Sequence, residues 1–213
     1  MTVVAIDGPA GSGKSTLAQL LAEHLGVDRL DTGAMYRAVA WAAIDRHVEL
    51  QDAEGIAALA RALDIEVAEH VTVDGQDVTD AIRSPDVDAA VSPVAANPAV
   101  RAELVRRQRA WVAERGGAVV EGRDICTVVL PGADLKIYLT ADSTVRAARR
   151  TTQRADGRSV EETEKQLRAR DTMDTTRIAS PLPTLAEVPA GALVIDSTGK
   201  SASDVLQEVL QWL

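Results

Sequence analysis

Several residue types are absent or scarce in this sequence of 213 residues, which has no phenylalanine, one cysteine and fewer basic than acidic residues. Without Phe, the core must be built from Ala, Val, Leu and Ile, and a hydrophobic content of 46% is sufficient for one domain of this length. The lone Cys126 excludes an internal disulfide. The net charge of −9 argues against a nucleic-acid polymer as partner, because neutralising its phosphates requires a basic surface.

Long apolar runs are also lacking. No stretch is long enough in apolar residues to span a bilayer, and the N-terminus does not have the basic and then apolar pattern of a signal peptide. We therefore expect a cytoplasmic protein that has no membrane partner and whose ligands are small molecules.

A glycine-rich loop is the strongest motif present. Residues 8–15 have the pattern G-x-x-x-x-G-K-S, between an apolar run at 3–6 and a helix-patterned segment at 16–21. Such a loop directs backbone N–H groups toward phosphates, so it predicts binding of ATP, with Lys14 at the β and γ phosphates and the Ser15 hydroxyl on Mg²⁺. The expected ATP-binding residues are Gly8, Pro9, Ala10, Gly11, Ser12, Gly13, Lys14, Ser15 and Thr16.

Further short apolar runs predict the strands of a sheet. They lie at 118–120, 135–139 and 192–195, and a shorter candidate lies at 28–31. Helix-patterned segments separate these runs, an alternation typical of a doubly wound α/β fold. With the run before the glycine-rich loop, they predict a five-stranded parallel sheet flanked by helices.

Two regions interrupt that alternation. The first, residues 33–116, combines helical patterns with short strand-like runs and a hairpin turn signal at Asp74-Gly75, which predicts an inserted lobe. The second, residues 142–178, predicts a helical hairpin that breaks at Asp156-Gly157 and restarts at a capping box beginning with Ser159.

Arginines are concentrated in this second region, which we call the lid. Several recur at helical spacing and form a basic stripe, which is either a solvated surface with ion pairs or a face that closes over phosphates. Because the chain as a whole is acidic and has a phosphate loop, we favour the second interpretation. The arginines are Arg146, Arg149, Arg150, Arg154, Arg158, Arg168, Arg170 and Arg177.

Two short stretches are candidates for the acceptor side. Residues 31–37 read D-T-G-A-M-Y-R after the first helix, and residues 121–124 read E-G-R-D after a predicted strand, at the sheet edge where ligands of open α/β folds bind. Each stretch alone is a weak signal, and a helix cap or an ion pair in a loop is the better explanation of it.

In this order around a phosphate loop, the stretches resemble the bacterial cytidylate kinase family. The resemblance covers the whole chain and also includes P-A-V-R at 98–101, R-R-Q-R at 106–109, and the segment from Arg170 to Arg177. It implies a nucleoside monophosphate kinase fold with a core at about 1–32, 117–141 and 179–213, a monophosphate-binding insert at about 33–116 and a lid at about 142–178.

The resemblance also implies roles for individual residues. It places Thr32, Arg37, Arg123 and Arg177 near the monophosphate, Arg170 and Asp174 at the ribose, and Ser92, Arg101 and Asp124 at the base. Gly33 and Tyr36 complete the expected CMP-binding set. The expected catalytic residues are Lys14, Arg123, Arg150, Arg154 and Arg177, with Arg146 as a further lid arginine, and the expected metal ligands are Ser15 and Glu121.

The residue types suit these roles. Arg170, Asp174 and Arg177 share one helix face at this spacing. The Asp124 carboxylate can accept a hydrogen bond from the cytosine amino group, and Arg101 can donate to ring acceptors.

One residue departs from the family pattern. The family usually has glycine where Cys126 stands, so a positive φ there would strain the backbone. We interpret the thiol itself as a small buried group, and His24, His47 and His70, which lie outside every motif, as surface or packing residues.

The expected activity is transfer of the γ-phosphate of ATP to CMP and dCMP by a monomer. Alternatives are a related kinase acting on UMP or a small alcohol, and an ATP-dependent switch. A guanine-specific switch is excluded, because it needs N-K-x-D and the only asparagine, Asn97, precedes Pro98.

Overall fold

The computed structural model describes residues 2–154, 157–176 and 179–213, without the side chain of Arg154. The strands are β1 (Val3–Asp7), β2 (Asp28–Asp31), β3 (Ile65–Val67), β4 (Val71–Val73), β5 (Gln76–Asp77), β6 (Ala118–Gly122), β7 (Leu135–Thr140) and β8 (Leu193–Asp196). The α-helices are α1 (Lys14–Leu25), α2 (Thr32–Asp45), α3 (Ala53–Ala62), α4 (Pro85–Ala96), α5 (Pro98–Arg115), α6 (Ser143–Arg154), α7 (Val160–Thr176) and α8 (Ala202–Leu210). Shorter turns are 3₁₀ at Ala81–Arg83 and Leu185–Glu187, and π-helical at Ile125–Val129.

The described chain divides into two compact units, one formed by the residues up to Arg29 together with Gly116–Leu213, the other by Leu30–Arg115. The five-stranded sheet has the order β2-β6-β1-β7-β8, and β1 pairs in parallel with both β6 and β7. The predicted five-stranded parallel sheet flanked by helices is thus confirmed.

The core of the first unit contains no aromatic side chain among its fully buried members. Ile6 of β1, Leu17 and Leu21 of α1, Ile137 of β7 and Ile195 of β8 are each at most 2% exposed and belong to one apolar cluster. Burial of these branched side chains holds α1 against the sheet, which sets the position of the loop between β1 and α1.

The second unit combines four helices with a small sheet of order β3-β4-β5. Both pairings are antiparallel, and β4 turns into β5 at Asp74 and Gly75, which have φ values of +50° and +79°. These angles are those of the Asp-Gly hairpin turn that the sequence indicates. Helix α2 packs against both α3 and α4.

The predicted helix starts in the lid are present. Ser159 and Glu162 form the reciprocal capping box of α7, in which the Glu162 N–H donates to Ser159 Oγ at 3.1 Å and the Ser159 N–H donates to Glu162 Oε2 at 2.9 Å. Asp142 accepts from the Thr144 N–H at 2.8 Å and caps α6. Within the described residues, none of the helices combines the length and the apolar composition that crossing a membrane requires.

Candidate active site

The phosphate loop lies between β1, the central strand of the sheet, and α1. Gly13 precedes α1 and has no side chain that could cap the helix, so the first backbone N–H groups of α1 are available to an anion. Lys14, the first residue of α1, is 7% exposed and its Nζ donates to the Pro9 carbonyl at 2.8 Å. An ammonium group is thereby held inside the loop.

Two glycines in this loop have no tolerated replacement. Gly8 has a φ of +151°, and a Cβ there would lie 2.0 Å from the carbonyl oxygen of Leu139. Gly11 has a φ of +77°, and a Cβ there would lie 2.9 Å from the carbonyl oxygen of Arg146. The loop therefore follows a path that packs directly against β7 and α6, and only glycine permits it.

The two residues expected to bind a metal are in direct contact. Ser15 Oγ donates to Glu121 Oε2 at 2.8 Å, and Glu121 Oε1 accepts from Arg29 Nη1 at 3.2 Å. Glu121 is only 3% exposed, at the carboxyl end of β6. A hydroxyl and a carboxylate are oxygen ligands that suit Mg²⁺, which binds through few protein groups together with water and substrate phosphates. The described residues contain no cluster of three or more His, Cys, Asp or Glu that could enclose a metal without such phosphates.

Two arginines of α6 reach the phosphate loop. Arg146 Nη1 donates to the Ala10 carbonyl at 3.0 Å and to Asp171 Oδ2 of α7 at 2.6 Å. Arg149 donates to the Ser197 hydroxyl at 2.9 Å, and this hydroxyl in turn donates to the Ser12 carbonyl at 2.9 Å. The interpretation of the basic stripe as a purely solvated surface is therefore wrong for these two arginines.

A cavity of about 590 Å³ adjoins the loop. Its volume is in the range of pockets that hold small molecules. Arg150, expected to be catalytic, is among its lining residues. The lining consists of Gly11, Ser12, Gly13, Lys14, Ser15, Thr16, Leu17, Leu139, Ala148, Arg149, Arg150, Thr152, Gln153, Ser197, Lys200, Ser201, Ala202 and Val205.

Two of the residues expected at the acceptor are paired in the first unit. Arg123, just after β6, donates from Nε to Asp174 Oδ2 of α7 at 2.9 Å, and Asp174 is 5% exposed. Arg170 lies one helical turn before Asp174, as the spacing indicates. Asp124 is 4% exposed and directly follows Arg123. The described side chains include neither Arg154 nor Arg177, so these two predictions fall outside what the structure describes.

The remaining acceptor residues lie in the second unit. Thr32 and Gly33 begin α2, whose N-terminus is capped by the Asp31 carboxylate, which accepts from the Ala34 N–H at 3.2 Å. The guanidinium of Arg101, in α5, lies 5.5 Å from the centre of the Tyr36 ring. This distance allows a cation–π contact.

Two further residues of that unit are expected at the acceptor. Arg37 donates to the Ile82 carbonyl at 3.0 Å and pairs with Asp88 of α4. Ser92, also in α4, is 8% exposed. Helices α2 and α4 of this unit thus hold an arginine expected at the phosphate and a hydroxyl expected at the base.

The strain anticipated at Cys126 is absent. Among the described non-glycine residues, positive φ occurs only at His47, Asp74 and Ser180. Cys126 lies instead in the π-helical turn, 3% exposed, and its burial, with the nearby Asp7 carboxylate, raises the pKa of the thiol. Its interpretation as a small buried residue is confirmed. The three histidines, His24, His47 and His70, are all exposed, so they are surface residues.

The sequence analysis did not select three polar residues that contact the phosphate loop, its arginines or the turn after β6. They include Asp171, which binds Arg146, and Ser197, which links Arg149 to the phosphate loop. Asp7 is the third, with a carboxylate that accepts from the Ile125 and Cys126 N–H groups at 2.8 Å each. The available signal was a polar residue at or just after the end of a predicted strand, since Asp7 ends β1 and Ser197 follows β8.

A parallel sheet with this loop after its central strand, a buried lysine at the start of α1 and two arginines of α6 at the loop define a phosphate-loop kinase. Solved structures of similar fold include a gluconokinase from Sinorhizobium meliloti 1021, with TM-score 0.53, 14% identity and coverage of 99% of this chain and 90% of that chain. An uncharacterized protein from Eubacterium ventriosum ATCC 27560 has TM-score 0.57 and 13% identity, covering 100% and 98%. At these identities the likeness concerns the fold alone.

The family model described as Cytidylate kinase matches residues 4–213, and the chain belongs to that family. A cytidylate kinase of Desulfitobacterium hafniense (strain Y51) is 47% identical, over 97% of this chain and 90% of that protein. A cytidylate kinase of Pelotomaculum thermopropionicum (strain DSM 13744 / JCM 10971 / SI) is 48% identical, over 97% and 93%. The resemblance read from the motifs is confirmed.

Proposed function

We propose that this protein transfers the γ-phosphate of ATP to CMP and dCMP, forming CDP and dCDP. The observation that carries the proposal is the buried Lys14 inside the phosphate loop, beside the contact between Ser15 and Glu121, in a chain that belongs to the cytidylate kinase family. These groups supply positive charge and metal ligands where a transferring phosphoryl group needs them.

The donor triphosphate binds along the phosphate loop in this proposal. The N–H groups of the loop and of the first turn of α1 donate to phosphate oxygens, and the Lys14 ammonium moves from the Pro9 carbonyl to the β and γ phosphates. Arg150 adds positive charge from the lid side of the cavity. The cavity continues past α6 toward the start of α8, which leaves space for the donor nucleoside.

Ser15 and Glu121 would hold Mg²⁺, Ser15 directly and Glu121 by orienting metal-bound water. When bound, Mg²⁺ would supply positive charge that neutralises the phosphate oxygens of the donor. Arg29 keeps the Glu121 carboxylate in place through the opposite oxygen, at 3.2 Å. Replacing either side chain by one without this oxygen should therefore weaken metal binding.

The acceptor needs no general base. A phosphate monoester has a second pKa of about 6, so its oxygen is already largely ionised at neutral pH. That oxygen forms a bond to the γ-phosphorus as the bond from the γ-phosphorus to the β–γ bridging oxygen breaks, leaving ADP. Catalysis then consists of aligning two polyanions and neutralising charge.

The acceptor side of the proposal assigns Arg123 to the monophosphate and Asp174 to the ribose. Their ion pair of 2.9 Å supports this assignment, because it brings the two side chains next to each other, as neighbouring phosphate and ribose contacts require. The other assignments are Thr32, Arg37 and Arg177 at the phosphate, Arg170 at the ribose, Ser92, Arg101 and Asp124 at the base, Gly33 and Tyr36 in the acceptor site, and Arg154 at the transferring phosphate.

A single assay tests the proposal. ADP formation from ATP and Mg²⁺ is measured with CMP, dCMP, UMP, the other monophosphates and small alcohols, and without any acceptor. We expect CMP and dCMP to give the highest kcat/KM and ATP alone to give almost no turnover. Higher turnover with UMP or an alcohol would favour a related kinase, and rapid hydrolysis of ATP alone would favour a switch. Light scattering tests the expected monomer, and cell fractionation the expected cytoplasmic location.

A further inference from the structure

Asp7 stands out because it is a charged side chain with almost no contact with solvent. It is the last residue of β1 and is 1% exposed. Its Oδ1 accepts from the Ile125 N–H and its Oδ2 accepts from the Cys126 N–H, both at 2.8 Å. Both carboxylate oxygens are therefore used on two consecutive backbone groups of the π-helical turn that follows β6.

This arrangement is costly for the fold. Burial raises the pKa of Asp7 to about 6, the two backbone N–H groups oppose the shift, and the nearby charge of Asp124 adds to it. A buried carboxylate destabilises the folded state unless its hydrogen bonds compensate. A neutral residue at this position would avoid the cost, so the benefit of the carboxylate has to come from what it holds in place.

The held segment directly follows the residues assigned to the acceptor. Ile125 and Cys126 come immediately after Arg123 and Asp124, which are thereby held between the end of β6 and the start of the turn. Asp124 has a φ of −144° and a ψ of 26°, outside both helix and strand, and its carbonyl accepts from the Val128 and Val129 N–H groups of the π-helical turn at 2.8 and 3.1 Å. These bonds fix Asp124 relative to the turn, and the two hydrogen bonds to Asp7 fix the start of the turn relative to β1.

We propose that Asp7 is a positioning residue for the acceptor site, fixing the backbone at 125–126 so that Arg123 and Asp124 meet the monophosphate and the base. The inference rests on the proposed function of Arg123 and Asp124. Its consequence is that a change at Asp7 alters acceptor binding and base selectivity more than it alters donor binding, although Asp7 adjoins the phosphate loop at Gly8.

The thiol of Cys126 does not provide the same restraint. Its Sγ lies 3.5 Å from the Ala5 carbonyl and 3.7 Å from the Ile137 carbonyl, so it contacts the neighbouring strands rather than the turn itself. The two N–H groups are restrained by Asp7.

The test compares Asp7→Asn with Asp134→Asn. In the first variant the asparagine side chain would keep one acceptor oxygen but turn an NH₂ toward the other backbone N–H, so one hydrogen bond is lost and a repulsion is introduced. Asp134 serves as the control for the same substitution in the same strand, because its Oδ2 accepts from the Val3 N–H at 2.8 Å at the opposite end of β1. Asp134 is exposed and uses only this one oxygen, so the amide oxygen of its variant can still accept from the Val3 N–H, and the change removes a carboxylate charge far from the acceptor residues.

We expect Asp7→Asn to raise KM for CMP about tenfold, the effect of one lost buried hydrogen bond, and to change KM for ATP less than about twofold. The ratio of kcat/KM for CMP over UMP should fall by a similar factor, since Asp124 is displaced. Asp134→Asn should leave both ratios unchanged. Equal changes in KM for ATP and CMP with an unaltered CMP to UMP ratio would overturn the proposal, because they would show an effect on the phosphate loop or on stability alone.

Amide hydrogen exchange of the wild-type protein gives a second measurement that does not depend on the variant folding. The Ile125 and Cys126 amides should exchange slowly, and rapid exchange at both would also overturn the proposal. The wild-type acceptor assay separates this inference from the proposed function. If CMP is not an acceptor, the function fails, while the selective effect of Asp7→Asn on whichever acceptor is used still decides the role of Asp7.

Discussion

Replacing Lys14 with alanine should abolish most activity while leaving the fold intact. In the structure the ammonium group donates to the Pro9 carbonyl at 2.8 Å, and the loop path depends on Gly8 and Gly11 rather than on the lysine. Loss of a hydrogen bond from a charged donor costs about 1.5–3 kcal/mol. Removing an ammonium that is 7% exposed recovers a desolvation penalty of several kcal/mol per ion, so the two effects largely offset each other in the free energy of unfolding.

The effect on catalysis is not offset. A positioned group that stabilises developing charge contributes about 2.7–4 kcal/mol to the transition state. At about 1.36 kcal/mol for each factor of ten, Lys14→Ala should lower kcat by about 10²–10³. The expected result is a folded protein that binds CMP and has almost no turnover.

The assay is ADP production at saturating ATP and CMP, coupled to NADH oxidation, with circular dichroism and a thermal melt on the same sample. Lys165→Ala is a suitable control, because Lys165 is exposed on α7 and its replacement removes the same charge outside the phosphate loop. A folded Lys14→Ala protein whose kcat stays within a few fold of wild type would refute the assignment of Lys14 to the transferring phosphate.

Four further predictions each concern one substitution. Asp174→Ala should raise KM for CMP and dCMP and leave KM for ATP nearly unchanged. An equal increase in KM for ATP would show that this face of α7 binds the donor instead. Asp124→Asn should reduce the preference for CMP over UMP by about 1–3 kcal/mol, because an amide can donate to the uracil carbonyl, and an unaltered ratio in a folded variant would assign base selection elsewhere. Glu121→Gln should raise the Mg²⁺ concentration needed for half-maximal rate, with a smaller change in KM for CMP, and an unshifted Mg²⁺ titration would contradict its role. The pKa of Asp7 is raised from 3.8 to about 6 in the folded state, so the folded state holds this proton more tightly than the unfolded state. The free energy of unfolding of wild type relative to Asp7→Asn should therefore fall as pH rises from about 4 to about 6. A difference in urea denaturation that does not depend on pH would contradict this burial.

Local signals in the sequence were sufficient for the elements of the fold. The apolar run at 3–6 became β1, the Asp74-Gly75 pair became the hairpin between β4 and β5, and Ser159 with Glu162 became the cap of α7. Each of these features is decided by residues a few positions apart, through side-chain burial, positive φ or a helix cap, so a pattern in the sequence is enough to predict it.

The phosphate loop was predicted for the same reason. Its glycines and Lys14 act through a contiguous backbone path, so the motif contains all the groups that the function needs. The family motifs extended this to a list of acceptor residues, among them Arg123 and Asp124. They did not extend to the contacts that those residues make.

Tertiary structure alone decided which distant groups meet. Ser15 contacts Glu121 across 106 positions in the sequence, and Asp7 reaches Ile125 across 118. These contacts exist because β1 and β6 are neighbours in a parallel sheet, with Asp7 in register with Gly122, so that the carboxyl ends of both strands lie at one edge. Strand order follows from the burial of whole sheet faces, which no local pattern contains, and it is this order that brings the aspartate at the end of β1 to the backbone beside the acceptor residues.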